Sequence, residues 1–374
     1  MKHVICPVCN CKCIKYGRNK SGSQRWRCNA CGLIVTAKID NSAKQLQIFL
    51  DWLFGKDSQK EMPGEGRTFR RNTSKFWDIW PLPPKVEERR NVLYVDGIYL
   101  GRKACVLICC DDEFVLGWYL CRYEHARAYI ALLSRIAEPL VVVSDGGTGF
   151  RKAVRKAWPH AAVQRCAFHV FCQVRRYTTN HPNTAAGIEL YALAKDLLHV
   201  EEVSEADRWI DSFLEWMSRY NRFLSQMTYD ENGDSRPTHE RLIKAERSIA
   251  RLIEDGTMFT YLNEKLQKEI GMIPSTNNQI EGGINSRLRA MLREHRGLSV
   301  ERRIKAVFWW CYMHSPKPLS GSEILNSMPT DKSISEIYRK MSRQDKLSGI
   351  IPDWGDAIVW EELHRSGEYP SDWD

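Results

Sequence analysis

Three acidic residues occur in settings that could support phosphodiester chemistry: Asp96 in Tyr-Val-Asp-Gly, Asp145 after Leu-Val-Val-Val-Ser, and Glu281 in Gln-Ile-Glu-Gly-Gly. Cleavage of a phosphodiester bond needs a nucleophile, a stabilised leaving oxygen and neutralised phosphate charge. Two Mg²⁺ ions about 3.5–4 Å apart can supply all three. Because Mg²⁺ prefers hard oxygen ligands and keeps several waters, two aspartates and a glutamate could hold such a pair, with Mn²⁺ as a substitute.

The apolar strands that precede the two aspartates distinguish them from ordinary surface acids. A solvated carboxylate is the usual interpretation of a single acid, and the acidic run 111–113 is interpreted in that way, as a hairpin turn. A carboxylate at the end of an apolar strand is different, because its burial is costly without a cation or a proton. We therefore predict that Asp96, Asp145 and Glu281 are catalytic and bind the Mg²⁺ ions.

Two Cys-x-x-Cys pairs near the N-terminus, separated by eighteen residues, predict a metal site. Four thiolates at this spacing can surround a tetrahedral Zn²⁺, which replaces the core that a short segment lacks. A closed four-sulfur site has no open position for chemistry, so we predict one structural Zn²⁺ in a zinc ribbon over residues 1–36. The expected ligands are Cys6, Cys9, Cys28 and Cys31. Cys11 and Cys13 are competing ligands, and free thiols without a metal are the alternative.

The charge distribution indicates an anionic polymer as the partner of the N-terminal part. The net charge is +9, with a strongly basic segment over residues 1–75 and an acidic one over residues 315–374. Residues 43–80 show a helical pattern, a break and a basic run, which predicts a helix-turn-helix DNA-binding domain. The arginines expected to contact DNA here are Arg25, Arg27, Arg67, Arg70 and Arg71. A solvated surface and a helical hairpin packed on the zinc module are the alternatives.

The totals favour a protein of the cytosol with two or three domains. Its 374 residues can bury a sizeable core, and no apolar run approaches the roughly 18 residues of a membrane span. The first residues lack the apolar core of a signal peptide, so we expect a cytoplasmic protein with no membrane partner. In that compartment its 13 cysteines are expected to be thiols and metal ligands.

The elements that must position the acids follow the order of an α/β, RNase H-like fold. Residues 90–170 contain three short strands joined by tight turns and then alternating helices and strands. In such a sheet the first and fourth strands are neighbours, so the carboxylates of Asp96 and Asp145 can meet. The predicted strands are residues 91–100, 103–110, 114–120, 140–144 and 162–165, and the predicted helices are 124–136 and 148–158.

The remaining segments are predicted to be mainly helical. Residues 171–272 are interpreted as a helical insertion inside the catalytic domain, in which Trp209 and Trp216 are expected to pack in the core rather than stack on unpaired bases. Residues 273–315 form the second part of the core. No chemistry is predicted for the tail at 316–374.

Glu281 is expected on a helix that begins near Ser275 or Thr276, since both are good N-cap residues. The pair Gly282-Gly283 is unfavourable in a helix, so we expect close packing there against the sheet or DNA. Three arginines that follow on the same stretch could clamp phosphates near the scissile bond, with a solvated face as the alternative. They are Arg287, Arg289 and Arg293.

With these motifs the chain resembles the Mutator-like insertion-sequence transposases of bacteria, which carry a DDE catalytic triad. The resemblance covers roughly residues 90–315 and rests on the settings of the three acids. It also rests on Gln-Arg-Cys166-Ala-Phe-His169, which matches the Cys-x-x-His motif that follows the second aspartate in this family. A zinc-ribbon and helix-turn-helix head is seen in a subset of these proteins.

The resemblance implies an RNase H-like catalytic core with an all-helical insertion between Asp145 and Glu281. It implies binding to terminal inverted repeats, Mg²⁺-dependent cleavage at the element ends and transfer of the freed 3′-hydroxyl into target DNA. Joining two ends implies at least a homodimer on double-stranded DNA, in the bacterial nucleoid. Cys166 and His169 are too few for a zinc site by themselves; packing near the active site and placement of DNA are the two interpretations.

Two other functions are compatible with the same residues. One is a repurposed, catalytically silent protein that still binds a specific DNA sequence. The other is a metal-dependent nuclease or resolvase that cuts DNA without joining it. The intact settings of all three acids favour the transposase over the silent DNA-binding protein.

Overall fold

The computed structural model describes residues 4–36, 41–101 and 103–336, so the predicted tail lies outside the described residues after Glu336. Its first unit is a small antiparallel sheet in the order β1-β2-β3. Cys13 and Cys28 are paired across β1 and β2 and are buried, together with Cys6, in a core of their own. The strands are β1 (Cys13–Arg18), β2 (Gln24–Cys28) and β3 (Ile34–Thr36).

A five-stranded sheet in the order β6-β5-β4-β7-β8 forms the centre of the molecule. The first three strands along the chain are antiparallel neighbours, whereas β7 pairs with β4, and β8 with β7, in parallel. All five strands confirm the prediction to within two residues at each end. They are β4 (Val92–Tyr99), β5 (Cys105–Cys110), β6 (Val115–Cys121), β7 (Val141–Ser144) and β8 (Ala162–Arg165).

Helices cover both faces of this sheet. On one face, α3 (Ala126–Leu133) and α4 (Thr148–Ala157) pack with the side chains of Leu93 and Val95. On the other face, Trp118 of β6 contacts α11 (Val300–Met313), with 6.2 Å between the ring centroids of Trp118 and Phe308. The apolar strands β5 and β7 are fully buried as a result, which explains why their sequences do not alternate.

Five helices and a hairpin lie between β8 and the segment that carries Glu281, so the prediction of an all-helical insertion is wrong in one respect. The Asn232-Gly233 pair, with a left-handed φ of 82° at the glycine, turns the chain between β9 and β10. Trp209 and Trp216 are buried, as expected. The elements are α5 (Ala167–Thr178), α6 (Ala185–Asp196), α7 (Val203–Leu224), β9 (Met227–Tyr229), β10 (Ser235–Pro237), α8 (Glu240–Glu254) and α9 (Glu264–Ile270).

The predicted helix-turn-helix segment contains α1 (Ser42–Phe54), the seven-residue α2 (Arg67–Thr73) and a short 3₁₀ turn (Ser74–Asp78). Their aromatic side chains belong to the main core. Phe49 lies 6.2 Å from Trp309 of α11 between ring centroids, and Trp52 lies 4.4 Å from His295. The apolar face of this helix pair is therefore buried against the C-terminal helices, not against the zinc module.

The last described elements are α10 (Ser286–Glu294), α11 and α12 (Gly321–Ser327). A buried cation anchors α11: the Lys305 ammonium contacts Glu301 at 2.8 Å and Asp331 at 2.7 Å, and its side chain is 1% exposed. Asp331 also accepts a hydrogen bond from the Trp80 indole. Among the described helices, none is both long and apolar enough to cross a bilayer.

Candidate active site

Asp96 and Asp145 lie side by side at one edge of the central sheet. Val95 of β4 is paired with Ser144 of β7 in parallel register, so the next residue of each chain segment is an aspartate. Ser144 is paired in turn with Arg165 of β8, which places Cys166 in the same row. Crevices outside the carboxyl ends of strands are common ligand sites in α/β sheets, and Asp96, Asp145 and Cys166 lie in one row of this sheet.

The carboxyl group of Asp96 is strongly perturbed by its surroundings. Its pKa is raised to about 7, mainly by burial, and the negative charges of Asp145, Glu281 and Glu124 add to the shift, against a hydrogen bond from the Gly97 N–H. Glu281 lies 136 residues after Asp145 in the sequence. Its negative charge nevertheless acts on the Asp96 carboxyl group, so the two side chains are near each other. The carboxylates of these acids repel one another, and a bound cation would reduce that repulsion.

Glu281 lies in a π-helical segment, Gln279–Asn285, that leads directly into α10. The helix does not begin at Ser275 or Thr276, so that prediction is wrong. The Ser275 carbonyl accepts the Ala167 N–H instead, and the Asn277 N–H points at Cys166 Sγ at 3.2 Å. These bonds fasten the segment to the start of α5. π-Helical turns are rare and frequent at functional sites.

The glycines near the acids differ in the structural constraint that favours glycine at each position. Gly97 faces the Glu124 carboxylate, and a Cβ there would lie 2.5 Å from Oε1. Gly146 adopts a left-handed φ of 78° and a Cβ would meet Arg165. Gly282 approaches the side chain of Asn278 in its own segment, and nothing lies within 4 Å of a Cβ at Gly283. Neither glycine therefore packs closely against the sheet, and close packing against DNA stays a prediction.

Two further residues at this edge were not predicted from the sequence. Asn285, fully buried, donates from Nδ2 to Asp96 Oδ2 at 2.6 Å. Glu124 accepts the Tyr129 hydroxyl at 2.7 Å, and burial, together with the charge of Asp145, raises its pKa. Asn285 is visible in the sequence only as the end of the Glu281 motif, and no pattern marks Glu124.

Arg165 places a buried positive charge beside the acids. Only 9% of the residue is exposed, and burial lowers the pKa of its guanidinium, whereas the charge of Asp145 opposes that shift. Its backbone N–H donates to the Thr257 carbonyl at 2.8 Å, which ties β8 to the end of α8. The guanidinium can therefore offset part of the negative charge around Asp145.

Cys166 and His169 lie against Glu281. His169 Nδ1 is 3.2 Å from Glu281 Oε1, and the three side chains can each place a donor atom within 4.8 Å of the others. Cys166 is buried, which raises the pKa of its thiol, and the N–H of Asn277 partly opposes that shift. The prediction that two ligands are too few for a metal site omitted this third ligand.

The arginines that follow Glu281 are exposed to solvent. Arg287, Arg289 and Arg293 are all exposed on α10, and two of them line a groove of about 400 Å³ beside Tyr99 of β4. Arg296 and Arg303 complete this groove. Four guanidinium groups around one groove next to the strand of Asp96 form an anion-attracting surface.

The four predicted zinc ligands converge in the N-terminal module. Cys6 Sγ lies 3.5 Å from Cys31 Sγ, Cys9 Sγ lies 3.3 Å from Cys28 Sγ, and all four lie within 4.8 Å of one another. The Cys9 N–H lowers the pKa of the Cys6 thiol to about 6. Cys13 shares the core of the module with Cys6 and Cys28 but is not one of the four cysteines that converge. Such a cluster can hold a tetrahedral cation.

The two Cys-x-x-Cys turns have the same backbone geometry. In the first, the Asn10 N–H donates to the Cys6 carbonyl, and in the second, the Gly32 N–H donates to the Cys28 carbonyl. Asn10 and Gly32 both have left-handed φ values, of 55° and 74°. Asparagine and glycine tolerate this conformation best, so the sequence after each cysteine pair suits the turn.

The predicted DNA-contacting arginines of the head are solvent-accessible and lie apart from the acids. Arg25 and Arg27 flank the exposed Tyr16 ring, with Cζ 5.6 and 5.4 Å from its centroid. On α2 the exposed arginines are Arg67, Arg70 and Arg71. A separate cavity of about 660 Å³ lies between α4 and the helices α7 and α8, and none of the three acids lines it.

Comparisons with known proteins cover the middle of the chain, including Asp145, Cys166 and His169. Residues 114–269 match the family described as "Transposase, Mutator family". The chain is 24% identical over 164 residues to the transposase for insertion sequence element IS905 of Lactococcus lactis, which covers 39% of this chain and 41% of that protein. It is 28% identical over 156 residues to the transposase for IS6120 of Mycolicibacterium smegmatis, covering 37% and 46%. The matches thus span less than half of these relatives, and the chain is related to the Mutator-family transposases of insertion sequences.

Proposed function

We propose that this protein is a DDE transposase that binds the terminal inverted repeats of an insertion sequence, cleaves the DNA at the element ends and transfers the strand to target DNA. The observation that carries the proposal is the convergence of Asp96, Asp145 and Glu281 at one edge of the sheet. The first two are neighbours in strand register, and the charges of both Asp145 and Glu281 act on the Asp96 carboxyl group. The relationship to the Mutator family supports the same reaction class.

We further propose that the catalytic core is RNase H-like. Support comes from the strand order β6-β5-β4-β7-β8, in which three antiparallel strands precede two parallel ones. This order places the ends of the first and fourth strands together, and so brings together two acids 49 positions apart. The segments 90–170 and 273–315 would form the core around the helices of 171–272, with a zinc ribbon over 1–36 and a DNA-binding domain over 43–80.

The donor set at the sheet edge fits hard divalent cations. Asp96, Asp145 and Glu281 offer only carboxylate oxygens, and burial, together with the neighbouring negative charges, raises the pKa of Asp96, which a bound cation would oppose. Bound there, Mg²⁺ would activate the attacking oxygen and stabilise the leaving one. The chain's own contribution is to fix the three carboxylates, with Asn285 holding Asp96 and the π-helical segment holding Glu281.

Basic residues would position the DNA. The guanidinium groups of Arg289 and Arg293 border the strand of Asp96, where they can bind phosphates next to the scissile bond. Arg25 and Arg27 present a second basic surface in the zinc module. Joining two element ends requires two sites held together, so we propose at least a dimer on double-stranded DNA.

Excision in cells tests this function. The gene with its native flanking DNA is cloned, and excised or joined ends are sought in cells that express the wild type, Glu281→Gln or the control Glu113→Gln. Glu113 is an exposed acid of the β5–β6 turn. We expect products from the wild type and the control only. Products from Glu281→Gln would remove Glu281 from catalysis, and absence of products from all three, with specific DNA binding retained, would favour the silent DNA-binding protein.

A further inference from the structure

We propose that Cys166, His169 and Glu281 form a second metal site in this protein, of the class that takes Zn²⁺, distinct from the four-cysteine cluster. A thiolate, an imidazole nitrogen and a carboxylate oxygen are the three donors that Zn²⁺ binds in proteins. Each of the three side chains can place one such atom within 4.8 Å of the other two. Three protein ligands leave a fourth position open, unlike the closed cluster of the zinc ribbon.

The three ligands are held by two separate elements. Cys166 begins α5 and its backbone N–H donates to the Ser144 carbonyl, while His169 follows one helical turn later on the same side. Glu281 approaches from the π-helical segment, with its Oε1 3.2 Å from His169 Nδ1. The Asn277 N–H on Cys166 Sγ fixes the spacing between the two segments. A cation therefore needs only small side-chain adjustments to bind.

The exposure of the ligands suits a site that exchanges its metal. Cys166 is 1% exposed, whereas the side chains of His169 and Glu281 are 29% and 28% exposed. A cation can thus enter from the solvent-exposed side, where His169 and Glu281 lie. The buried Cys166 thiolate forms the inner side of the site. The hard acids Asp96 and Asp145 lie in the same row of the sheet as Cys166 but offer no soft donor, so a soft cation favours the Cys166 side.

An unpaired amide next to the cluster is a second observation that points to a ligand. Asn277 is completely buried, and neither Nδ2 nor Oδ1 of its side chain has a hydrogen-bond partner. Buried polar groups are nearly always paired, and an unpaired one costs free energy. The backbone N–H of Asn277 contacts Cys166 Sγ, so this unpaired amide belongs to a residue that borders the cluster.

The site would compete with the catalytic one for Glu281, and this consequence rests on the proposed function. A carboxylate that binds a cation together with Cys166 and His169 is drawn away from Asp96 and Asp145. Zn²⁺ bound there would therefore inhibit the Mg²⁺-dependent reaction. Zn²⁺ held by Cys166 and His169 would then inhibit catalysis, because it occupies the carboxylate of Glu281.

Zinc content of the full-length protein tests the site without any activity. Wild type, Cys166→Ser, His169→Asn and Cys172→Ser are dialysed against buffered free Zn²⁺ and analysed for bound metal. Cys172 lies on the same helix α5 and outside the cluster, so it is the matched control. We expect the first two variants to bind one Zn²⁺ fewer than the wild type, and Cys172→Ser to bind as many.

Equal zinc content in all four proteins would overturn the proposal. If Cys166→Ser fails to fold, the zinc content of His169→Asn decides, because His169 is partly exposed. A second measurement uses Co²⁺, whose thiolate charge-transfer absorption should contain a component that Cys166→Ser lacks and Cys172→Ser retains.

The inhibitory role is tested by DNA cleavage at fixed Mg²⁺ with increasing Zn²⁺. We expect Cys166→Ser to need about tenfold more Zn²⁺ for half-inhibition than the wild type. If both proteins are inhibited by the same Zn²⁺ concentration, the proposed inhibitory role is wrong. Absence of cleavage by the wild type without Zn²⁺ would contradict the proposed function and leave the zinc count to decide the site.

Discussion

Asn285 donates a 2.6 Å hydrogen bond to the Asp96 carboxylate across 189 residues of sequence, and so ties the segment that carries Glu281 to the strand that carries Asp96. Asn285 is fully buried and lies four residues after Glu281. The bond holds the Oδ2 oxygen of Asp96, and it links this acid to the segment that carries a second proposed metal-binding acid.

Removal of this amide should slow catalysis more than it weakens DNA binding. We expect Asn285→Ala to lower kcat about 10²-fold, because a small displacement of reacting groups has that effect, with KM for DNA nearly unchanged. The concentration of Mg²⁺ for half-maximal rate should rise, which a merely structural defect would not cause. Asn278→Ala, an exposed residue of the same segment, is the control; equal rates for both variants would contradict a positioning role.

The raised pKa of Asp96 predicts a pH-dependent stability. Since the folded-state pKa is about 7 and the ordinary value is 3.8, the proton is bound more tightly in the folded state. The resulting stability is present at pH 4 and is lost as the pH rises through 7. In Mg²⁺-free buffer, Asp96→Asn should raise the free energy of unfolding by up to about 4 kcal/mol at pH 8.

Urea unfolding at pH 4 and pH 8 measures this effect. The variant should gain stability only at the higher pH, and Glu113→Gln should gain at neither. Addition of Mg²⁺ at pH 8 should stabilise the wild type and not Asp96→Asn, because the carboxylate that the cation would bind is absent. If Asp96→Asn is less stable than the wild type at pH 8, the ionised Asp96 carboxylate does not destabilise the folded protein.

The zinc module should depend on its metal for folding. Cys28 is fully buried, and the Cys31 N–H lowers the pKa of its thiol. We expect Cys28→Ser to remove one bound Zn²⁺ and to abolish amide-exchange protection in β1–β3, whereas the central sheet stays protected. The exposed Cys11 provides the control, since Cys11→Ser should leave both unchanged. Retained protection in β1–β3 after metal removal would contradict a structural ion.

The groove arginines should contribute to DNA affinity through phosphate contacts. We expect the double change Arg289→Ala and Arg293→Ala to weaken binding for all sequences alike. If each arginine neutralises one phosphate, the slope of log K against log salt should fall by about 1.8. Fluorescence anisotropy at several salt concentrations measures the slope. Arg222→Ala, an exposed change on α7, should not alter it, and an unchanged slope in the double variant would place DNA elsewhere.

The buried ammonium of Lys305 should make Asp331 important for stability. Asp331→Ala leaves this cation with Glu301 as the only acid among its contacts described above, and loss of one partner from a buried pair typically costs about 3–5 kcal/mol. We therefore expect a marked fall in the thermal unfolding temperature. The exposed Lys317→Ala should have almost no effect, and a variant as stable as the wild type would mean that water replaces the lost carboxylate.

Features whose physical cause is local were predictable from the sequence. The Cys-x-x-Cys pairs specify their own turns, because Asn10 and Gly32 supply the left-handed residue that each turn needs. The central strands were found because their apolar runs are short and bounded by turns. Asp96 and Asp145 could be placed together because one lies in such a strand and the other directly follows one, and the two strands pair in parallel.

Features that depend on distant partners could not be predicted in this way. The sequence around Ser275 reads as a helix start, but this stretch bonds to α5 instead, and the π-helical segment begins at Gln279. Glu124 looks like an ordinary polar residue until Gly97 leaves room for its carboxylate.

The sequence by itself determined the chemistry that is available: four thiolates, three acids after recognisable motifs, and a basic head. The tertiary structure alone decided which groups meet. It placed Asn285 on Asp96 and added Glu281 to Cys166 and His169, because contacts across more than a hundred residues follow from how the sheet and helices pack.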